Sequence, residues 1–102
     1  MIKMNLNEGK IVFNYLKEKL GNERLAYIEY DMIEEDYKQY ILKNMIKDYL
    51  INHYYNNTLL FDGVNWSPQK RKLRIIDYVS HEYNTMHEDD REIIVEKILN
   101  NN

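Results

Sequence analysis

The chain has 102 residues and a net charge of −3, with 44% apolar and 30% charged residues. This length predicts a single domain spanning residues 1–102, and the apolar content is too high for a disordered chain. No apolar stretch approaches the ~18 residues of a membrane span. A sequence without cysteine excludes disulfide bonds and cysteine-ligated zinc.

The first predicted helix runs from about Leu6 to Leu20. Asn5 and Glu8 have the spacing of a capping box, and Gly21 suits the left-handed conformation that ends many helices. The apolar side chains at helical spacing predict one core-facing side, formed by Leu6, Val12, Phe13, Leu16 and Leu20.

The next segment, residues 23–33, fits two kinds of secondary structure. Leu25, Ile28 and Met32 have helical spacing, but the middle of the segment also alternates as a strand does. We predict a helix here, followed by a break or bend within residues 31–36.

The third predicted helix is long, from about Asp36 to Tyr55, and it is apolar on two sides. One broad face is formed by Ile41, Leu42, Met45, Ile46, Tyr49, Leu50 and His53. The opposite side carries Tyr40, Ile51 and Tyr54. A helix of this kind either lies at the centre of a bundle or presents one side to a partner, and the sequence leaves both interpretations open.

The segment after the long helix begins with a turn signal. An Asp-Gly pair at positions 62–63 is typical of a tight turn, so residues 59–66 predict a short β-hairpin or an apolar loop. Ser67 and Pro68 are typical of a helix start, with serine as the cap and proline in the first turn. We expect that helix to end near Tyr83.

A last helix is predicted from about Met86 to Leu99, because Thr85 and Glu88 have the spacing of another capping box. The expected fold is therefore an all-α bundle of four or five helices, with the hairpin as its only β-structure. Residues expected to be buried in its core are Leu16, Met45, Leu50, Ile76 and Ile98.

Charge is distributed unevenly along the chain. Residues 22–36 contain six acidic residues and one basic residue, which gives this segment a net charge of −5. Such a surface imitates the phosphate backbone of a nucleic acid, and interleaved tyrosines add contact area at low entropic cost. The competing interpretation is a solvated helix face. The residues predicted to contact a protein partner are Glu29, Asp31, Glu34, Glu35, Asp36, Tyr37 and Tyr40.

The main functional prediction is a non-enzymatic protein-interaction module. Asn, Ile, Lys and Tyr abound, and their A/T-rich codons suggest an AT-rich bacterium or its phage as the source. The specific hypothesis is a small phage or mobile-element protein that inhibits a host nucleic-acid-handling defence enzyme in the cytosol. We expect no cofactor, no metal and no membrane contact. The sequence leaves a homodimer open.

A ribonuclease is the enzymatic alternative, and it depends on Arg74, His81 and Tyr83. This Arg-x6-His-x-Tyr pattern resembles the signature of HEPN ribonucleases, which are all-helical proteins whose Arg and His meet their symmetry mates across a dimer. The resemblance implies that His81 activates the ribose 2′-hydroxyl or protonates the leaving oxygen, and that Arg74 stabilises phosphate charge. The competing interpretation is the solvent-facing side of an amphipathic helix.

A second alternative is an accessory protein that binds nucleic acid directly. Basic residues are concentrated at positions 70–74, next to a tryptophan that could stack on a base. No helix-turn-helix signature accompanies them. The residues of this alternative site are Trp66, Lys70, Arg71, Lys72 and Arg74.

Overall fold

The computed structural model describes residues 4–57 and 67–100. They form five helices: α1 (Leu6–Leu20), α2 (Glu23–Met32), α3 (Glu35–Asn57), α4 (Pro68–Thr85) and α5 (Glu88–Asn100). Since these residues contain no strand, the predicted all-α class is confirmed. The hairpin predicted at residues 59–66 lies outside the described residues. Within the described part of the chain, no helix combines the length and apolar character needed to cross a membrane.

Local capping signals set the start of α1 and of α4. The Asn5 side chain accepts a hydrogen bond from the Glu8 backbone N–H at 2.9 Å, and the Glu8 carboxylate accepts one from the Asn5 N–H at 3.1 Å. Gly21 ends α1 in the left-handed conformation, with φ of 67°. The Ser67 hydroxyl accepts from the Lys70 N–H at 3.2 Å. These predicted caps are therefore confirmed.

The capping box predicted at Thr85 and Glu88 is wrong. Thr85 is the last residue of α4, and its hydroxyl donates to the backbone carbonyl of His81 at 3.1 Å. A threonine hydroxyl can donate to a carbonyl of the preceding helical turn in this way. The Thr85 hydroxyl therefore bonds within α4 and does not cap the start of α5. As a result α5 starts at Glu88, two residues later than predicted.

The long helix α3 is the centre of the bundle, since it contacts α1, α4 and α5. This position explains part of its second apolar side, because Tyr54 contacts Glu82 and Tyr78 of α4, whereas Tyr40 is exposed. The helix α1 packs against α2, α3 and α5, whereas the backbone of α2 approaches that of α1 alone among the described helices. The buried core consists of Ile11, Val12, Leu16, Ala26, Ile41, Leu42, Ile46, Leu50, Ile75, Val79, Val95 and Ile98.

The core predictions are confirmed at three positions and wrong at two. Leu16, Leu50 and Ile98 are buried, whereas Met45 is only partly buried against the core and Ile76 is also only partly buried. The neighbouring Ile75 is fully buried instead of Ile76. Adjacent isoleucines differ by 100° around a helix, and the apolar pattern alone does not decide which of the two faces inward.

The predicted face of α1 is also rotated from the observed one. Leu6 and Leu20 are exposed, whereas Ile11, which the prediction left out, is buried beside Val12 and Leu16. The two exposed leucines lie at the ends of the helix, where no neighbouring helix covers them.

Candidate protein-binding surface

The helix α2 begins and ends at well-defined residues. The Asn22 side chain accepts a hydrogen bond from the Leu25 backbone N–H at 3.1 Å, which caps the helix start. At the other end, Ile33 is extended and α3 begins two residues later. The helix predicted for residues 23–33 and the break predicted after it are therefore confirmed.

The face of α2 that packs on α1 is formed by a small residue and an aromatic ring. Ala26 is fully buried, and Tyr30 is partly buried against α1. The ring of Phe13 on α1 lies 4.6 Å from the Tyr27 ring and 6.4 Å from the Tyr30 ring, measured between centroids. Gly9 lets the Tyr30 hydroxyl approach α1 closely, because it has no β-carbon at the point of contact.

The opposite face of α2 carries an exposed apolar stripe, formed by Leu25, Ile28 and Met32. These side chains are 48%, 50% and 75% exposed. Their i, i+3 and i+7 spacing places them on one side of the helix. The sequence predicts this helical spacing but not the exposure of the three side chains, because apolar residues at helical spacing are most often in the core. Ala26 is the buried residue of α2, but its small side chain adds little to the apolar pattern of the sequence.

Acidic side chains surround this stripe and lack cationic partners. Glu29, Asp31, Glu34 and Asp36 are all exposed. Within the described residues, none of these four forms an ion pair with a lysine, arginine or histidine. Glu35 differs, since it is partly buried and accepts a hydrogen bond from the Met4 backbone N–H at 3.3 Å.

The negative charge of this region also affects Tyr30. Burial, followed by the charges of Glu35 and Asp31, raises the pKa of the Tyr30 hydroxyl. Lys38 forms no ion pair with these acids among the described residues, and its Nζ lies 4.0 Å from the centroid of the Tyr30 ring in a cation–π contact. Its charge offsets only one of the four exposed carboxylates, so the surface keeps a net negative charge.

Two predicted contact tyrosines lie in the first turns of α3, the helix that follows α2 in the chain. Tyr37 and Tyr40 are both exposed, and their ring centroids are 6.2 Å apart. Together with the apolar stripe and the four exposed acids, they form what we call the α2 surface. It comprises Leu25, Ile28, Glu29, Asp31, Met32, Glu34, Asp36, Tyr37 and Tyr40.

The residues of the ribonuclease alternative do not all lie together. Arg74 and His81 are exposed on α4, and a separation of seven residues places them on the same side of the helix. Tyr83 lies on the other side of α4, partly buried, with its ring beside cationic side chains of α3 and α5. Within one chain, the structure thus brings Arg74 near His81 but separates both from Tyr83.

The basic segment of α4 is divided between structural and exposed side chains. The Arg71 guanidinium donates to the backbone carbonyl of Tyr55 at 2.9 Å and lies 5.0 Å from the centroid of its ring. Arg71 thereby caps a carbonyl at the end of α3, where the helix dipole favours a cation. Lys70, Lys72 and Arg74 are exposed, and Trp66 lies outside the described residues.

Comparison with known proteins gives no further guide to function. No family model matches the chain, and no curated protein or solved structure matches it significantly. In the described part of the chain, no three His, Asp or Glu residues are grouped so that they could hold a metal ion.

Proposed function

We propose that this protein is a non-enzymatic binding module that inserts the α2 surface into a groove of a protein partner. The observation that carries the proposal is the exposed apolar stripe of α2 with uncompensated acids around it. A helix that presents apolar residues at i, i+3 and i+7 suits an apolar groove. The acids suit a basic rim around that groove.

The apolar stripe and the acids would contribute differently to binding. Burying apolar surface contributes roughly 25 cal/mol per Å², so the stripe would supply affinity and slow dissociation. Exposed charges contribute little affinity but attract a basic partner over about 8 Å at physiological ionic strength. Tyr37 and Tyr40 are the residue type that most often anchors interfaces.

A second copy of the chain is a poor occupant for this surface. A symmetric dimer through α2 would bring two segments of net charge −5 together. Like charges at an interface oppose association, so a partner with basic chemistry is favoured over a homodimer.

The specific version of the proposal is inhibition of an enzyme that handles nucleic acid, as in a phage protein acting against a host defence enzyme. Such enzymes bind phosphate backbones in basic channels. Glu29, Asp31, Glu34 and Asp36 would present carboxylates where the backbone presents phosphates. Displacement of counterions from the channel would then favour binding, as it does for nucleic acid.

A partner is first captured from bacterial lysate, and the bound protein and RNA are both identified. The proposal is then tested by reversing charges on the present protein and measuring its association with that partner. Glu29→Lys with Asp31→Lys places cations in the last turn of α2, where the helix dipole tolerates them. The matched control is Glu18→Lys with Glu96→Lys, which makes the same change in net charge at exposed sites elsewhere. We expect the first pair to slow association about tenfold or more at low salt, and the control to change it little.

The apolar stripe is tested separately through dissociation. Ile28→Ser with Met32→Ser should speed dissociation, because it removes apolar contact area without opening a cavity in the free protein. The control is Leu73→Ser on α4, which also removes an exposed apolar side chain. Equal effects of the test and control variants in both experiments would contradict the proposal.

A further inference from the structure

Three cationic side chains from two helices surround the ring of Tyr83 near the end of α4. Lys43 Nζ and Lys47 Nζ on α3 lie 5.8 Å and 5.7 Å from the ring centroid. On α5, the guanidinium carbon of Arg91 lies 5.9 Å from it. All four side chains are partly buried, so they are fixed by packing and still reachable from solvent. We call them the Tyr83 cluster.

The Tyr83 cluster has more positive charge than its neighbours neutralise. Glu8 on α1 pairs with Arg91 at 3.0 Å, and this carboxylate also caps α1. Among the described residues, neither Lys43 nor Lys47 forms an ion pair. Two lysines one helical turn apart repel each other, so their placement on α3 carries an electrostatic cost.

Arg91 is also incompletely satisfied. Its Nε–H is buried and meets no hydrogen-bond acceptor within the described part of the chain. A guanidinium has five donors in a fixed fork, and Glu8 is the one carboxylate paired with it here. Because this Nε–H is shielded from solvent, an oxyanion at the surface would meet the positive charge of Arg91 rather than the unsatisfied donor.

Contacts with the tyrosine ring do not account for the whole arrangement. A cation–π contact at a partly exposed site stabilises by about 0.5–1 kcal/mol, but it leaves the positive charge in place. The ring has only two faces, so three cations cannot each have a face to themselves. The cluster therefore retains a local positive potential within a chain of net charge −3.

We infer that the Tyr83 cluster binds the phosphate group of a small molecule. A phosphate monoester carries about −1.5 to −2 charges and several acceptor oxygens, which matches two ammonium groups that form no ion pair, with the positive charge of Arg91 close by. A long polyanion fits less well, because the rest of the chain is acidic and would repel it. This site lies on α3, α4 and α5 and shares no residue with the α2 surface, although Lys43 is only one helical turn from Tyr40. The inference does not depend on the proposed function.

The test is thermal melting of the full chain in inorganic phosphate, with chloride added to hold ionic strength constant. A ligand that binds the folded state raises the melting temperature, by several degrees at about ten times its Kd for a domain of this size. Adenosine monophosphate and a short single-stranded oligonucleotide are titrated in parallel. We expect stabilisation by phosphate and stronger stabilisation by adenosine monophosphate.

The test variant is Lys43→Gln with Lys47→Gln, which removes two charges from the Tyr83 cluster. The matched control is Lys70→Gln with Lys72→Gln, which removes two charges from the basic segment of α4. We expect the first pair to weaken binding of adenosine monophosphate about tenfold or more, the factor that one charge-assisted hydrogen bond supplies. Titration calorimetry measures this without melting, and circular dichroism checks folding. The inference is overturned if phosphate stabilises no more than chloride, if both pairs lose binding equally, or if the oligonucleotide binds more tightly than the monophosphate.

Discussion

The hydroxyl group of Tyr54 on α3 donates a hydrogen bond to the carboxylate of Glu82 on α4, whose two oxygens lie 2.6 and 2.9 Å away. The Tyr78 ring packs edge-on against the Tyr54 ring, with centroids 5.4 Å apart. Burial and the hydrogen bond to Glu82 raise the pKa of the Tyr54 hydroxyl well above 10. The pair thus holds α3 and α4 together while Tyr54 keeps its proton.

This hydrogen bond predicts a loss of stability in alkali. The folded-state pKa is raised above the value of 10 in the unfolded chain, so the unfolded state releases its proton first as the pH rises. The stabilisation is complete below pH 10 and is lost above it. We expect Tyr54→Phe to make unfolding less dependent on pH in this range and to cost about 1–2 kcal/mol at pH 7. Urea unfolding from pH 7 to 11 measures both, and an unchanged pH dependence in Tyr54→Phe would contradict the assignment.

The close approach of Gly9 and Tyr30 predicts a coupling between them. A β-carbon at Gly9 would lie 2.9 Å from the Tyr30 hydroxyl oxygen, which is too close, but 3.9 Å from the ring carbon that bears it. In the Tyr30→Phe background, Gly9→Ala should stabilise the protein by about 0.5–1 kcal/mol through its better helix propensity. In the parent it should stabilise less or destabilise, because the ring held by Lys38 must shift. A double-mutant cycle by urea unfolding measures the coupling, and equal effects in both backgrounds would refute it.

Core packing predicts a large effect at Leu50 and a small one at Leu73. Leu50 on α3 is buried, so Leu50→Ala should cost about 2–5 kcal/mol. Leu73 on α4 is exposed, so Leu73→Ala should change the free energy of unfolding by no more than about 0.5 kcal/mol. Chemical denaturation of both variants makes the comparison, and a small change at Leu50 would mean that α3 is rotated from its described position.

The ribonuclease alternative makes a different prediction from the binding module. We expect the purified protein to cleave no RNA at micromolar concentration, whether monomeric or dimeric. His81→Ala tests the HEPN-like motif directly, with His87→Ala as a control at another exposed histidine. Cleavage that His81→Ala abolishes and His87→Ala preserves, with helix content unchanged, would establish the enzyme instead.

The parts of the fold that could be predicted are those with local causes. Asn5 and Ser67 cap their helices through side chains that lie within one turn, so sequence spacing is enough to identify them. The inward residue of α4 is different, because Ile75 and Ile76 are equally apolar and the choice depends on where α3 lies. The cap predicted at Thr85 is wrong for a similar reason. Its hydroxyl can bond to the end of α4 or to the start of α5, and sequence spacing does not decide between the two.

The features of the candidate sites also differ in whether they could be predicted from the sequence. The acidic charge of residues 22–36 is visible in composition, and the exposure of Glu29, Asp31, Glu34 and Asp36 fits the expected surface. The exposed apolar stripe of α2 was not predictable, because its exposure results from Ala26 being the residue that meets α1. The Tyr83 cluster was equally unpredictable, since Arg91 is more than forty residues from Lys43 and Lys47 in sequence.

The docking of α2 has a consequence for local unfolding. Among the described helices its backbone approaches only α1, and Lys38 of α3 reaches it through a cation–π contact with Tyr30. It can therefore detach while α3 stays packed against α4 and α5, so its backbone amides should exchange with deuterium sooner than those of α3. A partner that covered the outer side of α2 would oppose this detachment. Slower amide exchange confined to residues 23–32 would then mark the bound state, even where the average structure does not change.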